Sequence, residues 1–135
     1  MILVDTNVFM YAAGAEHPFK RPSVAWLGRV ARAELEAVVD AEVLQEILHR
    51  YRALRRWREG CEVYDHVRRL VTVVIPVGAE VVDHARRLLD QHEGLMARDA
   101  LHAAVVREHE LQAICSFDTD FDCIEGLTRL EPPRG

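Results

Sequence analysis

Short apolar runs alternate along the chain with longer segments in which apolar residues recur every three or four positions. The short runs, typical of buried strands, are 2–4, 37–39, 71–75 and 113–115, with a weaker run at 127–130. The periodic segments, typical of helices with one buried face, are 8–13, 22–33, 43–54, 63–70, 80–91 and 97–109. Gly14, Gly60 and Gly94 are the predicted breaks between them.

Strands that alternate with helices indicate βαβ units, in which parallel strands are joined by helical crossovers. We therefore predict an α/β fold with a mostly parallel central sheet and helices on both of its faces. No internal repeat or low-complexity linker interrupts the pattern, so the prediction is a single domain over residues 1–135. In such sheets ligands bind beyond the carboxyl ends of the strands.

The composition narrows the class of protein. Of the 135 residues, 50% are hydrophobic and 29% are charged, which is ordinary for a globular domain. No apolar run reaches the roughly 18 residues of a membrane span, and the first residues lack the pattern of a secretory signal. The three cysteines form no CxxC pair and their number is odd, which favours a reducing compartment. We expect a cytoplasmic protein.

Charge is distributed unevenly. The net charge is −5, yet the segment 49–58 (HRYRALRRWR) carries five arginines and no acid. Arginines interleaved with aromatic residues suit the phosphates and bases of single-stranded RNA. Arg50, Arg55 and Arg56 are the predicted contacts with RNA or a protein partner, on the expectation that the segment continues the preceding helix. A solvated helix end is the alternative.

Four acids have both a structural and a functional interpretation. Asp5 and Asp118 follow predicted strands, and Glu46 and Asp99 lie in predicted helices. Singly, each has an ordinary role: a helix cap for Asp5, an ion pair with Arg50 for Glu46, a favourable helix-dipole position for Asp99 and a turn for Asp118. Together, they occupy positions that converge on one edge if the two strands are neighbours.

A convergent group of carboxylates needs a counter-charge. Two carboxylates about 5 Å apart repel by roughly 3 kcal/mol at an effective dielectric of 20. A bound proton or cation removes that repulsion, and oxygen ligands favour hard divalent ions such as Mg²⁺ or Mn²⁺. A carboxylate-held Mg²⁺ keeps several waters, one of which can attack a phosphodiester. The acids therefore indicate metal-assisted hydrolysis.

Four sequence motifs resemble those of a known family. VDTNVFMY at the start, LQEIL around Glu46, ARDALHAAV around Asp99 and SFDTDFD around Asp118 are similar to the four acidic motifs of the PIN domain, in order and over nearly the whole chain. The short form resembles VapC-type toxins, the ribonuclease half of toxin–antitoxin pairs. The resemblance implies an α/β/α sandwich, RNA cleavage dependent on Mg²⁺ or Mn²⁺, a homodimer and a small VapB-type antitoxin that covers the site.

By the same resemblance, Asp5, Glu46, Asp99 and Asp118 are the expected metal-binding and catalytic residues. Asp5 and Asp99 would ligate the metal directly. Asp120 and Asp122 are alternatives or additions to Asp118. Thr6 and Asn7 occupy positions where the family often places small polar residues near the metal, and they are predicted contacts with the substrate or a partner. Capping of the first helix is their alternative role.

Asp40 departs from the Ser or Thr that the family commonly has near this position. It is expected to cap the following helix or to add charge to the pocket. His102, three residues after Asp99, is expected to be packed or hydrogen-bonded rather than a ligand.

Other chemistry fits less well. The DxDxD spacing after residue 117 opens like an EF-hand, but Cys123 stands where the loop needs glycine and Arg129 where it needs glutamate. Nucleotide-binding glycine loops and zinc spacings are absent from the sequence. The remaining alternatives to a toxin ribonuclease are a non-catalytic RNA- or protein-binding module and a housekeeping RNA or DNA nuclease.

Overall fold

The computed structural model describes residues 1–134, so residue 135 of the predicted domain lies outside the described residues. The strands are β1 (Ile2–Val4), β2 (Ala37–Asp40), β3 (Val74–Ile75), β4 (Ala113–Cys115) and β5 (Arg129–Leu130). The helices are α1 (Thr6–Ala13), α2 (Lys20–Ala31), α3 (Ala41–Ala53), α4 (Trp57–Leu70), α5 (Ala79–Gln91) and α6 (Ala97–Glu108), and a 3₁₀ turn covers Thr119–Cys123. None of these helices is long and apolar enough to cross a lipid bilayer.

The strands form one sheet in the order β3-β2-β1-β4-β5, and every neighbouring pair is parallel. The chain moves outward from β1 to β2 and β3 on one side, and returns to add β4 and β5 on the other. The order therefore reverses beside β1, where β1 and β4 pair with Val4 opposite Cys115. A crevice forms at such a switch point, beyond the carboxyl ends of the strands.

Two apolar cores cover the two faces of the sheet. Ile2 and Val4 face a core shared with the first four helices, whereas Leu3 faces a core shared with α5 and α6. Alternate residues of a strand point to opposite faces, and a strand buried on both faces is apolar throughout. The predicted α/β fold with helices on both faces, an α/β/α sandwich, is confirmed.

The third strand is shorter than predicted. The sequence pattern predicts a strand over 71–75, but only Val74–Ile75 pairs with β2. Val71 is still bound to the preceding helix, because its amide donates to the Val67 carbonyl at 2.8 Å. Its side chain is buried all the same, as part of the core beneath α4. The β-branched residues that follow the helix gave the same sequence pattern as a strand, so the strand was predicted to begin too early.

Gly60 is not a break between helices, so this prediction is wrong. Helix α4 starts at Trp57 and runs through Gly60, which is buried. A Cβ atom at Gly60 would lie 2.4 Å from the Cβ of Tyr51 on α3, so the glycine allows two helices to pack closely. The break lies instead at Arg55, whose φ is +59°.

Gly60→Ala is expected to destabilise the fold, because the added Cβ would lie 2.4 Å from the Cβ of Tyr51, so α3 and α4 would have to shift apart. Overpacking of this kind typically lowers the free energy of unfolding by about 1–3 kcal/mol. Chemical denaturation measures the loss. Gly94→Ala is the matched control, since a Cβ there meets nothing within 4 Å. Equal stability of the two variants would contradict the packing argument.

Candidate active site

Asp5 stands at the end of β1 and caps α1. Its Oδ1 accepts a hydrogen bond from the Thr6 amide at 2.8 Å, and its Oδ2 accepts one from the Ser116 hydroxyl at 2.7 Å. The Asn7 side-chain amide also donates to Oδ2, at 3.4 Å. The carboxylate is buried, so these contacts rather than water fix its orientation. A pre-oriented carboxylate is what a metal ligand requires.

Glu46 reaches the same region from α3. Its Oε1 accepts a hydrogen bond from the Thr6 hydroxyl at 3.0 Å, which ties α3 to the start of α1. Its Oε2 faces two guanidinium groups, Arg50 at 3.8 Å and Arg98 at 3.7 Å. The glutamate is buried, whereas both arginine side chains are about half exposed at 48%. The arginines are therefore accessible to an anionic ligand.

The remaining acids come from α6 and the loop after β4. Asp99 lies in the first turn of α6 and is buried. Asp118 caps the 3₁₀ turn through the Asp120 amide at 2.9 Å. Carboxylate oxygens of Asp99, Asp118 and Asp120 lie within 4.8 Å of one another. Asp122 points elsewhere, because its carboxylate bonds Arg129 at 2.9 and 3.2 Å.

The pKa of Asp99 is raised by its buried place in the acidic cluster. Burial, followed by the negative charges of Asp118 and Asp5, raises the pKa of Asp99 from 3.8 to about 7. The positive charges of His102 and Arg98 oppose that shift only in part. A carboxyl group that holds its proton near neutral pH lacks a sufficient counter-charge, and a cation can supply one.

A single cavity of about 200 Å³ exposes the four predicted acids together. Asn7 and Arg50 also line it, whereas Thr6 is buried behind it. The lining residues are Asp5, Asn7, Met10, Tyr11, Glu46, Arg50, Arg98, Asp99 and Asp118. The fold thus brings to one opening residues of α1, α3 and α6, together with Asp5 directly after β1 and Asp118 three residues after β4.

The donor set suits a hard divalent cation. Asp5 and Glu46 form one group of ligand atoms within 4.8 Å of one another, which also includes a ring nitrogen of His102. Asp99, Asp118 and Asp120 form the other group. Carboxylate oxygens dominate both groups, and such oxygens are the ligands that Mg²⁺ and Mn²⁺ prefer. The residues present therefore fit the metal that the sequence indicates.

Ser116 links several residues of the site by hydrogen bonds, and it was not identified from the sequence. Its hydroxyl donates to Asp5 and accepts from the Asn7 amide and from the Asp118 backbone amide, both at 3.0 Å. One buried serine thereby holds the acids at the ends of β1 and β4 in a fixed relation. Its position directly after a predicted strand, two residues before Asp118, was the available signal.

Arg98 was also missed. It precedes Asp99 and contacts Glu46, 52 residues away in the chain. A single arginine in a sequence with sixteen gives no signal of its own. Only the packing of α6 beside α3 makes it part of the cavity.

The arginine segment does not continue one helix as predicted. Helix α3 ends at Ala53, and Arg55 and Arg56 form the turn that leads into α4. Arg56 is ion-paired with Glu59 at 3.1 Å. Of the three predicted contacts in this segment, only Arg50 lines the acidic cavity. A guanidinium–indole contact between Arg52 and Trp57, at 4.3 Å, spans the turn.

Comparison with known proteins agrees with this geometry. Residues 2–127 match the family model of the PIN domain. A VapC ribonuclease of Mycobacterium bovis is 42% identical over 130 residues, which cover 96% of this chain and 99% of that protein. Ribonuclease VapC13 of Mycobacterium tuberculosis matches with the same identity and coverage. Ribonuclease VapC23 of the same species is 41% identical over 118 residues, or 87% of this chain and 93% of its own.

Solved structures share the fold. The crystal structure of VapC20 of Mycobacterium tuberculosis, described as a sarcin–ricin loop cleaving toxin, superposes with a TM-score of 0.75 at 22% identity, over 95% of this chain and 97% of that one. VapBC2 from Rickettsia felis, bound to a DNA fragment from its promoter, gives 0.75 at 18% identity over 97% and 98%. The family model, the VapC relatives and the shared fold lead to one conclusion: the chain belongs to the PIN domain family.

Proposed function

We propose that this protein is a metal-dependent endoribonuclease that acts as the toxin of a toxin–antitoxin pair. The observation that carries the proposal is the convergence of Asp5, Glu46, Asp99 and Asp118 on one cavity. The names of the VapC relatives support ribonuclease activity, and the donor set supports Mg²⁺, with Mn²⁺ as a substitute. RNA is the proposed substrate.

The acidic residues have different proposed roles in hydrolysis. When bound, the metal ion supplies Lewis-acid chemistry that activates water and neutralises charge on the phosphate. Asp5 and Asp99 are the proposed direct ligands, and Glu46 and Asp118 complete the shell, with Asp120 close to Asp118. Asp99 must lose its proton to bind a cation, so metal binding and ionisation of Asp99 are coupled.

The alternatives are less well supported. A non-catalytic binding module has no use for a cluster in which burial, followed by repulsion from neighbouring acids, raises the pKa of Asp99 to about 7. A housekeeping nuclease or a DNA nuclease could use the same chemistry, but the relatives matched over almost their full length are VapC ribonucleases.

Arg50 and Arg98 are the proposed phosphate contacts. The logarithm of RNA affinity falls linearly with the logarithm of salt concentration. We expect the double variant Arg50→Ala plus Arg98→Ala to make this slope shallower, by about 0.7 for each phosphate group of single-stranded RNA that the arginines no longer neutralise. Fluorescence anisotropy with a short RNA measures the slope, on an Asp99→Asn background that leaves the RNA uncut.

Arg86→Ala plus Arg87→Ala, on the exposed side of α5, is the matched control. An equal change in both pairs of variants would contradict the assignment of Arg50 and Arg98. Arg55→Ala plus Arg56→Ala tests the contact predicted for the turn between α3 and α4: a shallower slope supports that contact, and an unchanged slope refutes it.

A second surface suits the proposed antitoxin partner. A cavity of about 500 Å³, separate from the acidic site, is an apolar groove between α1, α2 and α4. Its lining residues include Phe9, Val24, Leu27 and Val63, and Val24 is 52% exposed. We propose that the VapB-type antitoxin covers the acidic site, as the resemblance implies, and also packs apolar side chains into this groove.

Induction of this chain alone is expected to arrest growth, and co-expression of the adjacent small reading frame is expected to relieve the arrest. Val24→Glu should weaken that relief without reducing toxicity, since it places a charge in the apolar groove. Val82→Glu, an equally exposed valine on α5 across the sheet, is the control. Growth without arrest at full expression would count against a toxin.

Two further expectations stay proposals. All three cysteines are free, which supports the proposed cytoplasmic location because thiols stay reduced there. The proposed homodimer is tested by the molar mass of the purified protein in solution.

A further inference from the structure

Asp40 carries out two tasks with its two carboxylate oxygens. It ends β2 and caps α3, where its Oδ1 accepts a hydrogen bond from the Val43 amide at 2.9 Å. Its Oδ2 lies 2.7 Å from Nδ1 of His102 on α6. The residue is fully buried, so neither oxygen is satisfied by bulk water. A cap alone would need only the first of these contacts.

His102 completes a chain of contacts toward the acidic site. The ring is fully buried, and its Nε2 has no hydrogen-bond partner in the described part of the chain. That nitrogen faces Oδ1 of Asp5 at 3.6 Å. A buried polar atom without a partner is costly, so such an atom aimed at a carboxylate indicates a role that involves the site.

The Asp40–His102 pair touches the three elements that position most of the acids. Asp40 caps the helix that carries Glu46, and His102 lies one turn after Asp99 on α6. Asp5 directly follows β1. Ser116 holds the other oxygen of Asp5 at 2.7 Å. Asp5 therefore lies between a hydroxyl that donates to its Oδ2 and an imidazole nitrogen 3.6 Å from its Oδ1.

We propose that Asp40 and His102 are positioning residues, which fix the Asp5 carboxylate and the spacing of α3 and α6 for metal binding. This inference rests on the proposed metal-dependent function. A purely structural pair is a poor explanation, because apolar residues of similar volume stabilise a core at least as well as a buried ionic pair does. Partners of this kind orient the groups that ligate a metal.

Asp40→Asn is the sharpest test. Its amide oxygen can still accept from the Val43 amide, while its NH₂ group faces Nδ1 of His102 and disfavours the donor form of that nitrogen. We expect Mn²⁺ affinity measured by calorimetry to fall about 10–100-fold, as for other partners of metal-site residues, and kcat at saturating metal to fall. KM for RNA and the circular dichroism spectrum should stay unchanged.

Two further variants complete the test. His102→Gln should reproduce the loss of metal affinity, which keeps the proposal testable if Asp40→Asn does not fold. Ser23→Ala is the matched control, because Ser23 Oγ is the other buried polar atom without a partner among the described residues, and it lies on α2. Its removal should leave metal affinity unchanged.

The outcomes separate this inference from the proposed function. Wild-type protein that neither binds Mn²⁺ nor cleaves RNA would refute the proposed function. Wild-type protein that does both, with Asp40→Asn and His102→Gln binding Mn²⁺ as tightly, would overturn the positioning role alone. Electron spin-echo spectroscopy that detected a ring nitrogen of His102 bound directly to Mn²⁺ would also overturn it, because His102 would then be a ligand.

Discussion

Asp99→Asn is expected to reduce RNA cleavage on the order of 10³-fold or more, equivalent to about 4 kcal/mol of lost transition-state stabilisation. Burial, together with the neighbouring acids Asp118 and Asp5, raises the pKa of Asp99 to about 7, so its ionised form is available to a cation but disfavoured without one. Asparagine has nearly the same shape and cannot supply the negative charge. The loss should appear in kcat, with Mg²⁺ at a concentration that saturates the wild type.

The fold should survive this substitution. Removal of a carboxylate from a repulsive cluster relieves destabilising charge, so the variant is expected to melt at a temperature equal to or above that of the metal-free wild type. Asp83→Asn, on the exposed side of α5, is the matched control and should cleave normally. Cleavage by Asp99→Asn at the wild-type rate would refute the catalytic assignment.

Metal binding should produce the second large effect, on thermal stability and its dependence on pH. In the unfolded chain the Asp99 carboxyl group titrates near 3.8, whereas in the folded, metal-free protein it titrates near 7. The folded state thus binds more protons between these values, and its free energy of unfolding falls as pH rises from about 4 to 7.

His102 acts in the same direction at higher pH. Burial alone would lower its pKa, but the charge and hydrogen bond of Asp40 raise it from 6.5 to about 9. This contribution to stability is fully present below 6.5 and is lost as pH rises to about 9. The metal-free protein should therefore become steadily less stable from about pH 4 to pH 9.

A bound cation reverses the slope at Asp99, because it favours the ionised carboxylate. At a Mg²⁺ concentration 100 times the dissociation constant, the stabilisation is about 2.7 kcal/mol, or roughly 10 °C in melting temperature for a domain of this size. Thermal unfolding at pH 5.5 and pH 8 with Mg²⁺ or with EDTA measures this effect. The shift should be larger at pH 8 and absent in Asp99→Asn; equal melting temperatures with Mg²⁺ and EDTA at both pH values would contradict it.

The fold was largely predictable because its signals are local. The apolar runs at 2–4 and 113–115 correspond to β1 and β4 residue for residue. The helix ends were harder to predict, because three helices close with a non-glycine residue at positive φ: Ala33, Arg55 and Glu110. Glycine usually occupies such a terminus. Because position 55 is an arginine, the break was predicted at Gly60 instead.

Three acids of the candidate site were predictable from their places after a strand or at a helix start, whereas Glu46, within α3, was predicted from the family resemblance. Asp5 and Asp118 converge because β1 and β4 pair, which an alternating pattern alone does not specify. Ser116 and Arg98 are bound to the site through contacts between distant parts of the chain. Short-range patterns carry no information on such contacts, so only the assembled sheet and helices reveal them.

The role of Asp40 could be predicted from the sequence only in part. The sequence predicts it as a cap or as an added charge, and the structure places it as the cap of α3 with its second oxygen on His102. His102 is hydrogen-bonded as predicted, but it also faces Asp5. One residue that serves two neighbours cannot be assigned from its local context.

The most direct test of the metal site is the anomalous diffraction of crystals grown with Mn²⁺ in excess. We predict a peak in the acidic cavity, bound by oxygens of Asp5 and Asp99 at the roughly 2.0–2.2 Å typical of metal–carboxylate bonds. A fully ordered cavity without any peak at saturating Mn²⁺, in protein that still cleaves RNA, would contradict the proposed metal site.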